Sequence, residues 1–237
     1  MKNNVIPRSF VAALFMVSHL LTLPHPPAGF QKQDNTAETR RHTPGQHRFQ
    51  NAEKWVERFE NPERDAWQKP EEVIGLLDLR GDEVVVDIGS GTGYFSVRFA
   101  SALPRGKVYG ADIEPDMVTY LNNRAEKEKL ENLTSMVVEP DDPGIPEPVD
   151  LVFVCNTYHH IEDRVTYFKN LIDDFRPGGR VVIVDFVKGE LPVGPPDHMK
   201  LSPETVVSEL TQAGYRLLQA PEILPYQYIL IFGTPAE

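Results

Sequence analysis

One cysteine, Cys155, in 237 residues excludes an intramolecular disulfide, and its place inside an apolar run carries no information about redox compartment. Metal ligands are as scarce. The adjacent His159 and His160 cannot both reach one ion from a helix, and no partner Cys or Glu stands at zinc spacing from them. Basic charge is thin: 24 Lys and Arg face 35 Asp and Glu, for a net charge of −11. Residues 1–48 hold six of the cations and two of the anions, which leaves about −15 on residues 49–237. A body of that sign argues against a nucleic-acid partner, which needs a basic surface. No apolar run reaches the roughly 20 residues of a membrane span. The longest, Phe10–Leu23, follows Lys2 and Arg8 and stops at Pro24, Pro26 and Pro27. It has the length of a signal-peptide core but neither a small-x-small cleavage site nor a lipobox cysteine. Residues 1–30 are therefore expected to be an export signal or an uncleaved membrane anchor, with a cytoplasmic chain as the alternative. Residues 31–48, polar and without periodicity, read as a disordered linker.

The stretch Glu83–Phe95, EVVVDIGSGTGYF, is where the chain becomes specific. Val84–Val86 suits a strand buried on both faces. Asp87 ends it, Gly89, Gly91 and Gly93 follow at every second position around Ser90, and Phe95 to Leu103 reads as a helix. Strand, glycine loop and helix N-terminus make a nucleotide-binding turn. The dinucleotide fingerprint needs G-x-G-x-x-G. Here the third glycine comes one residue early, and Tyr94 stands where the dinucleotide glycine would be. Asp87 would repel a phosphate but accept hydrogen bonds from an ammonium group. The spacing thus favours a zwitterionic nucleoside without phosphate.

This Asp87-x-Gly89-x-Gly91-x-Gly93 pattern resembles the first motif of the class I S-adenosylmethionine-dependent methyltransferases. The order of elements from Pro70 to Phe232 is similar to theirs, and closest to the small-molecule, quinone-biosynthesis-like branch. Strands and helices alternate five times and end in two consecutive strands. The resemblance implies a Rossmann-like α/β fold, with a seven-stranded mostly parallel sheet, helices on both faces and the last strand antiparallel. It also implies S-adenosyl-L-methionine as cofactor, and a helical lid over residues 49–69 ahead of a catalytic domain at 70–237.

Along that domain, Lys107–Ala111 is expected to be a second strand ending at Asp112, beside Ile113. An acid about twenty residues past the loop can bond the two ribose hydroxyls, and Met117, one turn on, can pack on adenine. A helix over Pro115–Lys129 and a strand over Ser135–Val138 lead to an acidic loop in which Glu139 and Asp141 are rivals for the adenine amino group. A fourth strand, Val149–Cys155, runs into Asn156, His159 and His160, at the end of the sheet where cofactor and acceptor should meet. Either histidine can serve as a general base, and Tyr94, Trp67, Asn156, His159 and His198 are expected around the acceptor. A helix over Arg164–Phe175, a Pro-Gly-Gly turn at Arg176–Gly179, a fifth strand at Arg180–Phe186 and a long proline-stiffened loop, Val187–Leu201, complete the site. Arsenite methylation relies on several cysteines and does not fit a chain with one. The competing readings are an NAD(P)-dependent oxidoreductase and a non-catalytic membrane-associated module. The acceptor is expected to be a small molecule.

Overall fold

A computed structural model describes residue 49 and residues 51–235. The expected signal or anchor at 1–30 and the linker at 31–48 lie outside the described residues. Among those described, no helix is long and apolar enough to cross a membrane.

Seven strands form one sheet: β1 (Val84–Ile88), β2 (Lys107–Asp112), β3 (Leu133–Val137), β4 (Val149–Cys155), β5 (Phe175–Phe186), β6 (Arg216–Gln219) and β7 (Gln227–Gly233). Their order is β3-β2-β1-β4-β5-β7-β6. The first five are parallel, and β7 inserts antiparallel between β5 and β6. This is the Rossmann-like arrangement the element order predicts. Strands β1 and β7 are buried at every position, because helices cover both faces of the sheet.

The alternation of side chains along the strands divides the core. Val84, Val86, Ile183 and Leu230 face one way, against Phe168 of α6 (Arg164–Asn170) and Leu210 of α7 (Pro203–Gln212). Val85, Phe153, Val182 and Ile231 face the other way. There they meet Val73 of α3 (Pro70–Gly75), Phe99 of α4 (Ser96–Ala102) and Leu121 of α5 (Pro115–Glu128). Helix α7 is capped by Ser202, whose hydroxyl accepts the Thr205 N–H at 3.2 Å.

Several boundaries differ from expectation. Helix α6 stops at Asn170 and tightens into a 3₁₀ turn over Leu171–Asp174. The expected Pro-Gly-Gly turn is instead the irregular start of β5: Val149 pairs with Phe175 and Leu151 with Arg180, so extra residues bulge between. Short helices α1 (Glu53–Phe59) and α2 (Glu63–Gln68) come ahead of α3 and the sheet. Helix α1 begins later than the Phe49 periodicity suggests, because Asn51 takes φ 62°.

Candidate active site

Parallel strands end together, and the carboxyl ends of β1, β2, β4 and β5 open into a cleft of about 710 Å³ roofed by α1, α2 and the loop before α7. The glycine loop forms its floor. Gly89 has φ 72°, and a Cβ there would lie 2.1 Å from Thr157 Oγ1, so this glycine lets the loop pack under the β4 exit. Gly93 is excluded from side chains for a different reason. Its Cβ would lie 2.2 Å from Leu121 Cδ1, and the residue faces helix α5 and not the cleft. Of the expected loop residues it is the one absent from the cleft lining, and it sets how closely α5 packs.

Asp87, Ser90, Gly91, Asp112, Ile113, Met117, Glu139 and Asn156 line the cleft with Gly89. Asp141 does not. It lies on a separate depression with Asp142 and Asp174, because the chain turns at the Glu139–Asp142 bridge, which leaves Glu139 as the acid of that loop on the cleft. Asp87 accepts the Ser96 hydroxyl at 2.5 Å, and burial pushes its carboxyl up to about 7. Asp112 ties the loop to β2, accepting the Gly91 N–H at 2.8 Å and the Glu114 N–H at 2.9 Å. Burial raises it to about 6 in spite of those bonds. Both acids are therefore desolvated groups that gain from a ligand bearing hydrogen-bond donors or positive charge. Glu114, buried at the same edge, was not singled out by sequence reasoning.

Tyr94 lines the cleft, but its hydroxyl donates to Asp65 at 2.5 Å and its ring lies between Arg64 and Arg98, 3.7 Å and 4.2 Å from their guanidinium carbons. Burial and the Asp65 bond hold the phenol well above its ordinary range. That hydroxyl braces α2 through Asp65, while the ring stays on the cleft wall. His198 is absent from the cleft lining, whereas Trp67 is present and packs 5.8 Å from Phe186 and 6.4 Å from Tyr226. Pro192, Pro196 and Met199 of the long loop face the same space.

The two histidines, equivalent in sequence, are separated by one partner. His159 Nδ1 lies 2.9 Å and 3.1 Å from the carboxylate oxygens of Asp185, and its side chain is 2 % exposed. Asp185, fully buried at the end of β5, also accepts the Phe186 N–H at 2.8 Å. An ionised carboxylate has only acceptors, so Nδ1 carries the proton and Nε2 is left as the basic nitrogen. His160 lines the cleft with its ring 4.2 Å from that of His159 and 6.0 Å from that of Phe49. The signal for Asp185 was present as a charged residue near the end of an otherwise apolar strand, VVIVDF.

The methyltransferase-domain family matches residues 79–222, more than half of the chain. The chain belongs to that family. Its domain is of the class I S-adenosylmethionine-dependent methyltransferase type, which displaces the nicotinamide reading. A SAM-dependent methyltransferase from Aquifex aeolicus superimposes with a TM-score of 0.72 at 26% identity, over 77% of this chain and 98% of that one. Aklanonic acid methyltransferase DauC of Streptomyces sp. (strain C5) is 30% identical over 134 residues, 55% of this chain and 61% of its own. The ubiquinone/menaquinone biosynthesis C-methyltransferase UbiE of Pasteurella multocida is 28% identical over 123 residues, 48% of this chain and 44% of its own. The chain spans about half the length of the curated relatives it matches.

Proposed function

We propose that this chain transfers the methyl group of S-adenosylmethionine to a small-molecule acceptor through a proton-bearing nucleophile. The observation that carries the proposal is the pair of buried carboxylates, Asp87 and Asp112, on the two sides of a glycine loop that itself contains no cationic side chain. A desolvated acid beside the loop is matched by an ammonium, and one at the end of β2 by vicinal hydroxyls. Ile113, Met117 and Glu139 line the remaining edge, where a purine meets an apolar surface and one hydrogen-bond acceptor. When bound, the sulfonium supplies an already electrophilic methyl carbon.

What is left to the protein is alignment, dryness and proton management. Trp67, Phe186, Pro192 and Met199 exclude water from the acceptor side. His159 takes the nucleophile's proton at Nε2, and Asp185 stabilises the imidazolium that results. Names of relatives that act on small organic molecules support the choice of acceptor class, and the UbiE relative supports a quinone-biosynthesis-like branch. Residues 1–30 remain, on their sequence pattern alone, a proposed signal or anchor. Sequencing the N-terminus of the protein taken from its own cells checks this, and an intact Met1 in a soluble fraction counts against it.

The test is ligand-induced stabilisation of the full chain. S-adenosylmethionine and S-adenosylhomocysteine should raise the melting temperature in proportion to the logarithm of concentration, and NAD should not. Stabilisation by NAD with no response to either sulfur nucleoside would overturn the proposal.

A further inference from the structure

Helix α2 reaches the body of the protein through an unusual anchor. Its one buried residue is Gln68, a fully enclosed amide in place of an apolar side chain. Gln68 stands in a hydrogen-bonded chain whose direction is forced from one end. Arg64 carries only donors, and its Nε meets Gln68 Oε1 at 2.7 Å. The Gln68 amide nitrogen therefore points inward, to Gln227 Oε1 at 2.6 Å and Cys155 Sγ at 3.1 Å. The Gln227 nitrogen then points at Asn156 Oδ1, 2.5 Å away. With its oxygen used, Asn156 keeps two N–H donors, for which the described residues supply no acceptor. Asn156 itself takes φ 58° and lines the cleft.

The position of Asn156 limits what those donors meet. Val154 of β4 lies opposite Ile88 of β1, so two residues on Asn156 comes level with the start of the glycine loop, just past Asp87. A group whose ammonium is matched to Asp87 carries its carboxylate next to it, and a neutral amide donor is a natural partner for that anion.

We infer that Gln68 and Gln227 are positioning residues that hold the Asn156 amide with its donors toward the cleft, to bind the carboxylate of the cofactor's amino-acid end. The inference rests on the proposed function and deepens it. It also ties the roof to the floor, since α2 must be seated for Asn156 to face the right way. The buried amide at position 68 then has a reason that an apolar anchor would not satisfy.

The chain can be reversed without dismantling it. Gln68→Glu keeps the bond to Arg64 as an ion pair but removes the inward donor. Gln227 must then turn its nitrogen to the new carboxylate and its oxygen to Asn156, and Asn156 presents an oxygen to the cleft. The probes are S-adenosylhomocysteine and 5′-methylthioadenosine, which lacks the amino-acid end, titrated by calorimetry into the full-length protein. Gln68→Glu should weaken S-adenosylhomocysteine about tenfold and leave methylthioadenosine unchanged, with α2 as protected from hydrogen exchange as in the native chain. Asn156→Asp, which keeps the Gln227 bond but also presents oxygen, should show the same selectivity if Gln68→Glu fails to fold. Equal binding of S-adenosylhomocysteine by native and Gln68→Glu proteins would overturn the inference, as would parallel losses for both probes. Failure of the native chain to bind S-adenosylhomocysteine would remove the proposed function and this inference together.

Discussion

The roof of the cleft and the sheet beneath it are held by different forces. Strands β1 and β7 are buried throughout, and Phe153 of β4 is enclosed by Phe95 and Phe99 at 4.7 Å and 5.0 Å. Helix α1 buries no residue at all, and α2 buries only an amide. Apart from the partly buried Trp67 ring against Phe186 and Tyr226, what ties these helices down is polar. Glu60 accepts the Thr92 hydroxyl at 2.6 Å and pairs with Arg124 at 2.9 Å, while Asp65 receives Tyr94 and pairs with Arg98 at 3.1 Å. Apolar burial yields about 25 cal/mol per Å² and scales with area, whereas ion pairs that keep contact with solvent, as Glu60–Arg124 and Asp65–Arg98 do, contribute about 0–1 kcal/mol each. Segments held by few buried apolar contacts open first. A roof held in that way is expected to open before the sheet does.

The comparison can be broken at several points. Phe153→Ala should cost the most, about 3–5 kcal/mol of unfolding free energy in a urea titration, because it empties a fully buried position packed against Phe95 and Phe99. A loss under about 1 kcal/mol would show that the two halves are not so different. Asp112→Asn should cost about 1–3 kcal/mol of S-adenosylhomocysteine affinity by calorimetry, the scale of a buried polar group losing its partner. Unchanged affinity would remove Asp112 from the site. Glu60→Gln should change global stability by about 1 kcal/mol or less, yet speed hydrogen exchange across residues 53–68 selectively. Uniform acceleration would mean that roof and body open together.

Proton linkage gives the finest test. The raised carboxyl of Asp87, about 7 against 3.8 for an ordinary aspartate, contributes stability fully present below about 3.8 and lost as pH rises through about 7. Asp112 adds the same trend through about 6. Without ligand, the melting temperature should therefore carry a downward component from about pH 5 to about pH 8 that Asp87→Asn reduces. Affinity for S-adenosylhomocysteine should rise over the same interval, because the ammonium requires the ionised acid. An identical pH slope in the Asp87→Asn protein would exclude this residue as its source.

Much of the fold was readable before any coordinate. The glycine loop has its own backbone chemistry, buried strands announce themselves as β-branched runs, and α5 shows its period in Met117, Val118, Leu121 and Ala125. Those are local properties, decided within a few residues by dihedral preference and side-chain spacing. Boundaries were less legible where competing contacts intervened, as when β5 recruited Phe175 and the Pro-Gly-Gly segment into a bulge.

Chain order by itself determined the alternation of strands and helices, the loop that favours a phosphate-free nucleoside, and the acid at the end of β2. Only the tertiary structure decided that His159 owns the carboxylate, through Asp185 26 residues on, and that Gln68 meets Gln227 across 159 residues. It alone turned Glu139 toward the cleft and Asp141 away. Periodicity describes which face of an element is apolar, but the partner of a polar side chain is set by how separate elements pack. That information has no one-dimensional period to read.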